Sequence, residues 1–144
     1  MKTIILTTIF LIGFSIAGQS CDCDSARKSI EELVKKSKHV FVGTVKSIEP
    51  SNSTTSDIWT YETIEFEIVE SLSGQPSKSL RIQNENSSCG LFFDKGKQYL
   101  VYVYLDKESG NLRIHQCFSP SPDVAEPDGK AELNRVRKIV GARK

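Results

Sequence analysis

The chain has 144 residues, enough for one domain and short for two. Its 19 basic and 18 acidic residues leave a formal net charge of +1, a balance that gives no sign of a broad nucleic-acid face or a basic membrane-binding surface. Four cysteines in a chain of this length make cross-linking or metal binding the first chemical question.

The first predicted element is a leader. MKTIILTTIFLIGFSIA carries Lys2, a mostly apolar run to Ile16 and then small residues, the layout of a secretory signal peptide over residues 1–20. The run is shorter than the roughly 20 residues a membrane-spanning helix needs, and polar residues follow at once. No second apolar run follows, so the expectation is a secreted, extracellular chain (periplasmic or cell-surface in a bacterium) with no transmembrane segment. Cleavage after Ser20 puts Gly18 at the −3 position and makes Cys21 the first residue. Cleavage after Ala17, with Ser15 at −3, fits the small-residue rule at least as well and leaves Gly18-Gln19-Ser20 ahead of that cysteine. Loss of the leader removes Lys2, so the 19 basic residues become 18 against 18 acidic ones and the net charge falls to zero.

Residues 21–144 read as a single domain. Asp24 or Ser25 is the expected cap of a helix running to about Ser37, because Ala26, Ile30, Leu33 and Val34 form one apolar stripe. Lys35, Lys36 and Lys38 close it where cations suit the helix dipole. HVFVGTVKSI, His39 to Ile48, predicts a strand with a bulge or tight bend at Gly43, and PSNSTTSD after it is turn chemistry. In WTYETIEFEIVESL, Ile64, Phe66 and Ile68 alternate with Thr63, Glu65 and Glu67, which predicts a half-buried strand whose glutamates face water instead of pairing as catalytic acids.

SGQPSKS is a loop, SLRIQ a short strand, and NENSSCG a polar loop that carries Cys89. DKGK turns the chain into QYLVYVYL, apolar on both faces and so predicted to be a central strand. ESGN is a hairpin turn into LRIHQCF, with Cys117. After the linker SPSPDVAEPDG a last helix is predicted from about Lys130 to Gly141, packing through Leu133, Val136, Ile139 and Val140. Its Arg135, Arg137, Lys138, Arg143 and Lys144 offer charge to a polyanion, although such a run is more commonly a solvated face at a helix C-terminus. Five short antiparallel strands with a helix near each end predict a mainly β fold, a five-stranded closed barrel of the OB type.

All four cysteines, Cys21, Cys23, Cys89 and Cys117, follow the leader, and an even count behind a signal peptide favours disulfides. Zinc is the rival reading, but it usually takes ligands from two close pairs, whereas Cys89 and Cys117 stand far apart. Pairing Cys21 with Cys23 closes a cramped ring. The two remaining connectivities both tie the N-terminus to distant strands, and loops of this size contribute at most about 4 kcal/mol each in the chain-entropy model. His39 and His115 fit no metal spacing, and neither a GxSxG elbow nor a glycine-rich phosphate loop is present. A cysteine held in a bridge is no nucleophile, so the chain is expected not to be an enzyme and to need no cofactor. Asn52 and Asn86 open glycosylation sequons.

CDC at the expected mature start, then VFVGTVKSI, CGLFFDKGKQYLVYVY and Cys117 after the hairpin, resemble in their order and separations the netrin-like fold. Within that fold they are similar to the N-terminal domain of the tissue inhibitors of metalloproteinases. The resemblance covers Cys21 to about Phe118 and is to a minimal, single-domain member, without the family's other disulfides or its separate C-terminal domain. It implies Cys21–Cys89 and Cys23–Cys117 bridges that clamp the N-terminus to the barrel. It also implies a zinc metalloprotease as partner, with the α-amino nitrogen and carbonyl oxygen of Cys21 chelating the target's zinc. An α-amino group with a free pKa of about 7.7–8.0 loses its proton readily enough for that role.

Cys21, Asp22, Cys23 and Asp24, with Cys89, Gly90 and Leu91, are the implied protease contacts, Asp22 entering the primary pocket. The chain would hold no metal of its own. Members of the family usually carry Thr or Ser at the second position. Asp22 instead brings a carboxylate near the protease's own catalytic glutamate, which disfavours enzymes with apolar pockets. The alternative is a non-inhibitory extracellular netrin-like binding or structural module, membrane-anchored if Cys21 is lipidated. GQSC lacks the apolar residue usual before a lipidated cysteine, and lipidation would orphan one of the other thiols.

Overall fold

The computed structural model describes residues 29–50, 61–86, 90–114 and 121–142. The leader, all four cysteines and hence the expected bridges lie outside the described residues.

The first helix, α1 (Ile30–Lys36), begins later than the expected caps at Asp24 or Ser25. Its N-cap is Ser29, whose hydroxyl accepts the Glu32 N–H at 3.3 Å, with Glu31 and Glu32 at the positive end of the dipole. Ser37 ends the helix, its N–H and hydroxyl both donating to the Leu33 carbonyl at 2.9 and 2.7 Å.

Five strands follow: β1 (His39–Pro50), β2 (Tyr61–Ser73), β3 (Ser79–Glu85), β4 (Gln98–Leu105) and β5 (Leu112–Ile114). They close into a barrel in the order β1-β2-β3-β5-β4, with β4 pairing back onto β1. The all-antiparallel expectation fails at one seam. β3 and β5 run parallel, Gln83 opposite Arg113 and Asn84 opposite Ile114. The reason is parity: a ring with an odd number of strands cannot alternate direction all the way round, so one pair must be parallel. Parallel neighbours need a long crossover, and β4 with its flanking turns supplies it between β3 and β5.

Nor are the first two strands short, at 12 and 13 residues. A long strand wraps a narrow barrel only by bending, and β1 shifts register against β2 at Val40/Phe41, Val42/Gly43 and Val45/Ser47. Gly43 stands at one of these shifts, as its place in the sequence predicts. A Cβ there would lie 2.7 Å from Cε2 of Phe41 and 3.2 Å from Cβ of Phe66, so glycine is what lets the two aromatic residues approach.

Alternation along β4 divides the packing into two clusters. Tyr99, Val101 and Val103 fill the barrel with Phe41, Val45, Ile64, Phe66, Ile82 and Ile114. Leu100 and Tyr102 pack outside it with Val40 and Val42 of β1, under Leu33 and Val34 of α1 and under Leu133 and Val136 of the last helix, α2 (Pro127–Gly141). QYLVYVYL is apolar on both faces because both of its faces are interior.

α2 starts three residues before the expected Lys130, with Pro127 in its first turn, where a missing N–H costs no helical hydrogen bond. The segment leading into it runs beside β4. The Leu100 N–H donates to the Pro122 carbonyl and the Val124 N–H to that of Gln98, both at 3.0 Å. Gly129 packs directly on this segment, and a Cβ there would fall 1.9 Å from the Asp123 carbonyl oxygen. Further along, the Arg137 guanidinium forks onto Glu70 of β2 at 3.1 and 2.5 Å, so one cation of the predicted basic face is already paired. No helix among the described residues is long and apolar enough to cross a membrane.

Candidate functional site

Of the expected protease contacts, Cys21, Asp22, Cys23, Asp24 and Cys89 lie outside the described residues. Gly90 and Leu91 open the connection from β3 to β4, and what fixes them begins on β3 itself. That strand runs on through Asn84 and Glu85, which read as loop in the sequence. Asn84 continues the inward register of Leu80 and Ile82, at the period of two that a strand imposes. It is 1% exposed and, the tyrosines apart, the one buried polar side chain among the described residues.

A buried amide is costly unless its hydrogen bonds are made. Here they are. Nδ2 of Asn84 donates to the Leu91 carbonyl and to Oε1 of Glu62, each at 2.7 Å, and Oδ1 accepts the Leu91 N–H at 3.1 Å. The side chain therefore pairs with both backbone groups of Leu91, as a neighbouring strand would. Gly90 is buried and Leu91 is half-buried against the barrel core.

Phe93 is the second anchor. Its ring meets Phe66 at 5.4 Å and Tyr99 at 4.9 Å, both edge to face, and Phe66 meets Phe41 in the same way at 5.8 Å. The Asp94 N–H donates to the Tyr99 hydroxyl at 3.0 Å. Gly96 donates to the Val45 carbonyl at 2.8 Å, and Val45 donates to that of Lys97 at 3.0 Å. The Lys97 ammonium lies 2.9 Å from Asp94 and 3.7 Å from Asp123, and its bond to Asp94 raises its pKa above the ordinary lysine value.

Between these anchors, Phe92 is 90% exposed. The chain alternates through the loop, Leu91 toward the core, Phe92 toward water, Phe93 toward the core. Burying a phenylalanine is worth about 1.5–3 kcal/mol, so its display on a backbone fixed at both neighbours calls for an explanation. The sequence offered one signal, the pair Phe92-Phe93 directly after CGL. It does not say which ring goes inward, because Phe66 and Tyr99 make that choice from other strands.

The remaining candidates are dispersed. His39 opens β1 with its Nδ1 buried and unpartnered, and burial, then the neighbouring Lys38, pushes its pKa below the usual histidine value. Glu65 accepts from the hydroxyls of Ser47 and Ser79 at 3.3 and 3.0 Å, and Glu67 pairs with Lys46 at 3.1 Å. These glutamates are engaged in separate pairs across neighbouring strands. Among the described residues no group of three or more His, Cys, Asp or Glu could hold a metal. The best-organised feature is thus the loop from Gly90 to Lys97, an apolar display on a fixed frame. Compared with known proteins, the chain matches no family model and no curated protein sequence.

Proposed function

We propose that this chain is a secreted inhibitor of zinc metalloendopeptidases, similar to the inhibitory domain of the tissue inhibitors of metalloproteinases. Mature Cys21 chelates the enzyme's zinc through its α-amino nitrogen and carbonyl oxygen, Asp22 enters the primary pocket, and the segment after Cys89 lies alongside. The observation that carries the reading is the hold of Asn84 on Leu91, which fixes the segment following Cys89 before any partner arrives. A contact ridge ordered in advance loses little conformational entropy on docking, the property an inhibitor that must outcompete substrate requires. The closed barrel supplies the rigid body behind it.

The test begins with intact mass and N-terminal sequencing of the secreted protein. A chain starting at Cys21 should inhibit zinc endopeptidases, and one added N-terminal Ala should abolish inhibition by moving the amine off the metal. A mature start at Gly18, or a lipid on Cys21, overturns the mechanism. Asp22→Thr should tighten binding to proteases with apolar pockets, because it removes a carboxylate from beside the enzyme's own glutamate. The second reading, a non-inhibitory netrin-like binding module, draws on that same aspartate, and it gains if Cys21 is free and no zinc endopeptidase is inhibited.

A further inference from the structure

The proposed inhibitor still needs a means of choosing among enzymes that share one zinc chemistry. We propose that Phe92 is that specificity-determining contact, its ring filling an apolar subsite of the protease cleft beside the zinc. The inference rests on the function proposed above.

Three observations carry it. Phe92 is 90% exposed, while the other exposed large apolar side chains among the described residues, Ile48, Val69 and Leu105, are each 37–56% exposed. Its position is imposed by its neighbours, since Asn84 holds Leu91 by both backbone groups and Phe93 is wedged between Phe66 and Tyr99. Asp94, Lys95 and Lys97 follow it as exposed charges. An aromatic anchor presented on a rigid backbone beside a polar rim is the anatomy of a protein-binding hot spot.

The occupant follows from area and connectivity. A single phenylalanine ring offers on the order of 200 Å², against roughly 800 Å² that each partner contributes to a stable interface, so by itself it does not make a flat dimer contact. Leu105 stands at the opposite end of β4 from the loop and does not enlarge the patch. One ring suits a pocket, and a peptidase cleft is lined with pockets for single side chains. Phe92 also belongs to the same fixed segment as Gly90 and Leu91, the stretch that the proposed docking sets against the enzyme.

The experiment measures inhibition constants for the wild-type protein, Phe92→Ala, Phe92→Asp and the Ala-extended protein. The probes are zinc endopeptidases in pairs, one with an open apolar subsite and one in which that subsite is filled or charged. Phe92→Ala should weaken inhibition of the first by about 10- to 100-fold and of the second by less than about 3-fold, with Phe92→Asp weaker still against the first. Thermal midpoints should stay at the wild-type value, because the ring packs against nothing that unfolding would lose. Equal losses across each pair, or none, overturn the assignment. So does a wild-type dimer in sedimentation that Phe92→Ala dissociates, which would give the ring to a second copy of the chain. Inhibition that is lost with the Ala extension yet indifferent to Phe92 overturns the specificity role alone. A correctly started wild type that inhibits no enzyme overturns both proposals.

Discussion

Tyr99 and Tyr102 stand on the same strand and belong to different halves of the molecule. The Tyr99 hydroxyl, at the barrel end, accepts the Asp94 N–H, and its ring completes the aromatic stack that seats Phe93. The Tyr102 hydroxyl, under the helices, donates to Oε1 of Glu132 at 2.7 Å, and burial followed by that carboxylate pushes its pKa well above the ordinary tyrosine range. One tyrosine organises a loop and the other fastens a helix. The barrel interior and the loop that displays Phe92 are therefore one packed unit. The helical layer is a second, coupled to the first through the backbones of β1 and β4. Stability can be lost from either side, whereas the geometry of the loop depends on only one.

Large truncations test that division most severely. Phe66→Ala removes a fully buried ring that touches both Phe41 and Phe93, and should cost about 3–5 kcal/mol in urea denaturation. Leu100→Ala on the helical side should cost about 2–5 kcal/mol. The distinguishing measurement is native-state hydrogen exchange at Leu91 and Asp94. Their protection should fall in Phe66→Ala beyond the global loss, and only in step with global stability in Leu100→Ala. Equal loosening would mean that the two clusters are one.

Asn84→Asp is a narrower probe with the same shape. It replaces the donating amide by a carboxylate oxygen facing the Leu91 carbonyl and Glu62, and leaving such buried partners unsatisfied costs about 1–3 kcal/mol. Leu91 exchange should quicken while the amides of α2 keep their protection. Inhibition should weaken together with that ordering, as expected of a residue that positions others and touches no target itself.

The smallest effect belongs to Tyr102→Phe, about 1.5 kcal/mol at neutral pH, the low end for a lost hydrogen bond to a carboxylate because Glu132 is only partly buried. Its pH signature is more telling. The folded-state pKa of Tyr102 lies above its ordinary value of 10.0, so the unfolded chain releases that proton first. Its contribution is complete below about pH 10 and is lost as the pH rises further. Denaturation midpoints measured from pH 8 to 11 should fall for the wild type, and less steeply for Tyr102→Phe. The shape of the Phe92 loop should remain unchanged in that variant.

Most of the barrel was legible in the chain before any contact was known. The alternation of Ile64, Phe66 and Ile68 marks a strand with one buried face, and the unbroken apolar run QYLVYVYL marks one with two. Gly43 announces a register shift, and Leu133, Val136, Ile139 and Val140 announce a packed helix face. Two helix boundaries differ from the expectation although their signals are present in the chain. Ser29 three residues before Glu32 is a helix start, and Pro127 is a residue of the first turn. The candidate site was half legible. The resemblance implies Gly90 and Leu91, whereas Asn84 carries no such mark, because asparagine in a polar stretch ordinarily signals a turn.

Local periodicity was enough to write down the strands, the helices and their apolar faces, because each follows from spacing within one stretch of chain. Three features needed the closed fold. The parallel pairing of β3 with β5 arises from closing an odd ring. The burial of Asn84 depends on Leu91 and Glu62 arriving from elsewhere with groups that complete its hydrogen bonds. The outward turn of Phe92 and the inward turn of Phe93 are settled by Phe66 and Tyr99, because an edge-to-face seat exists for one ring between them.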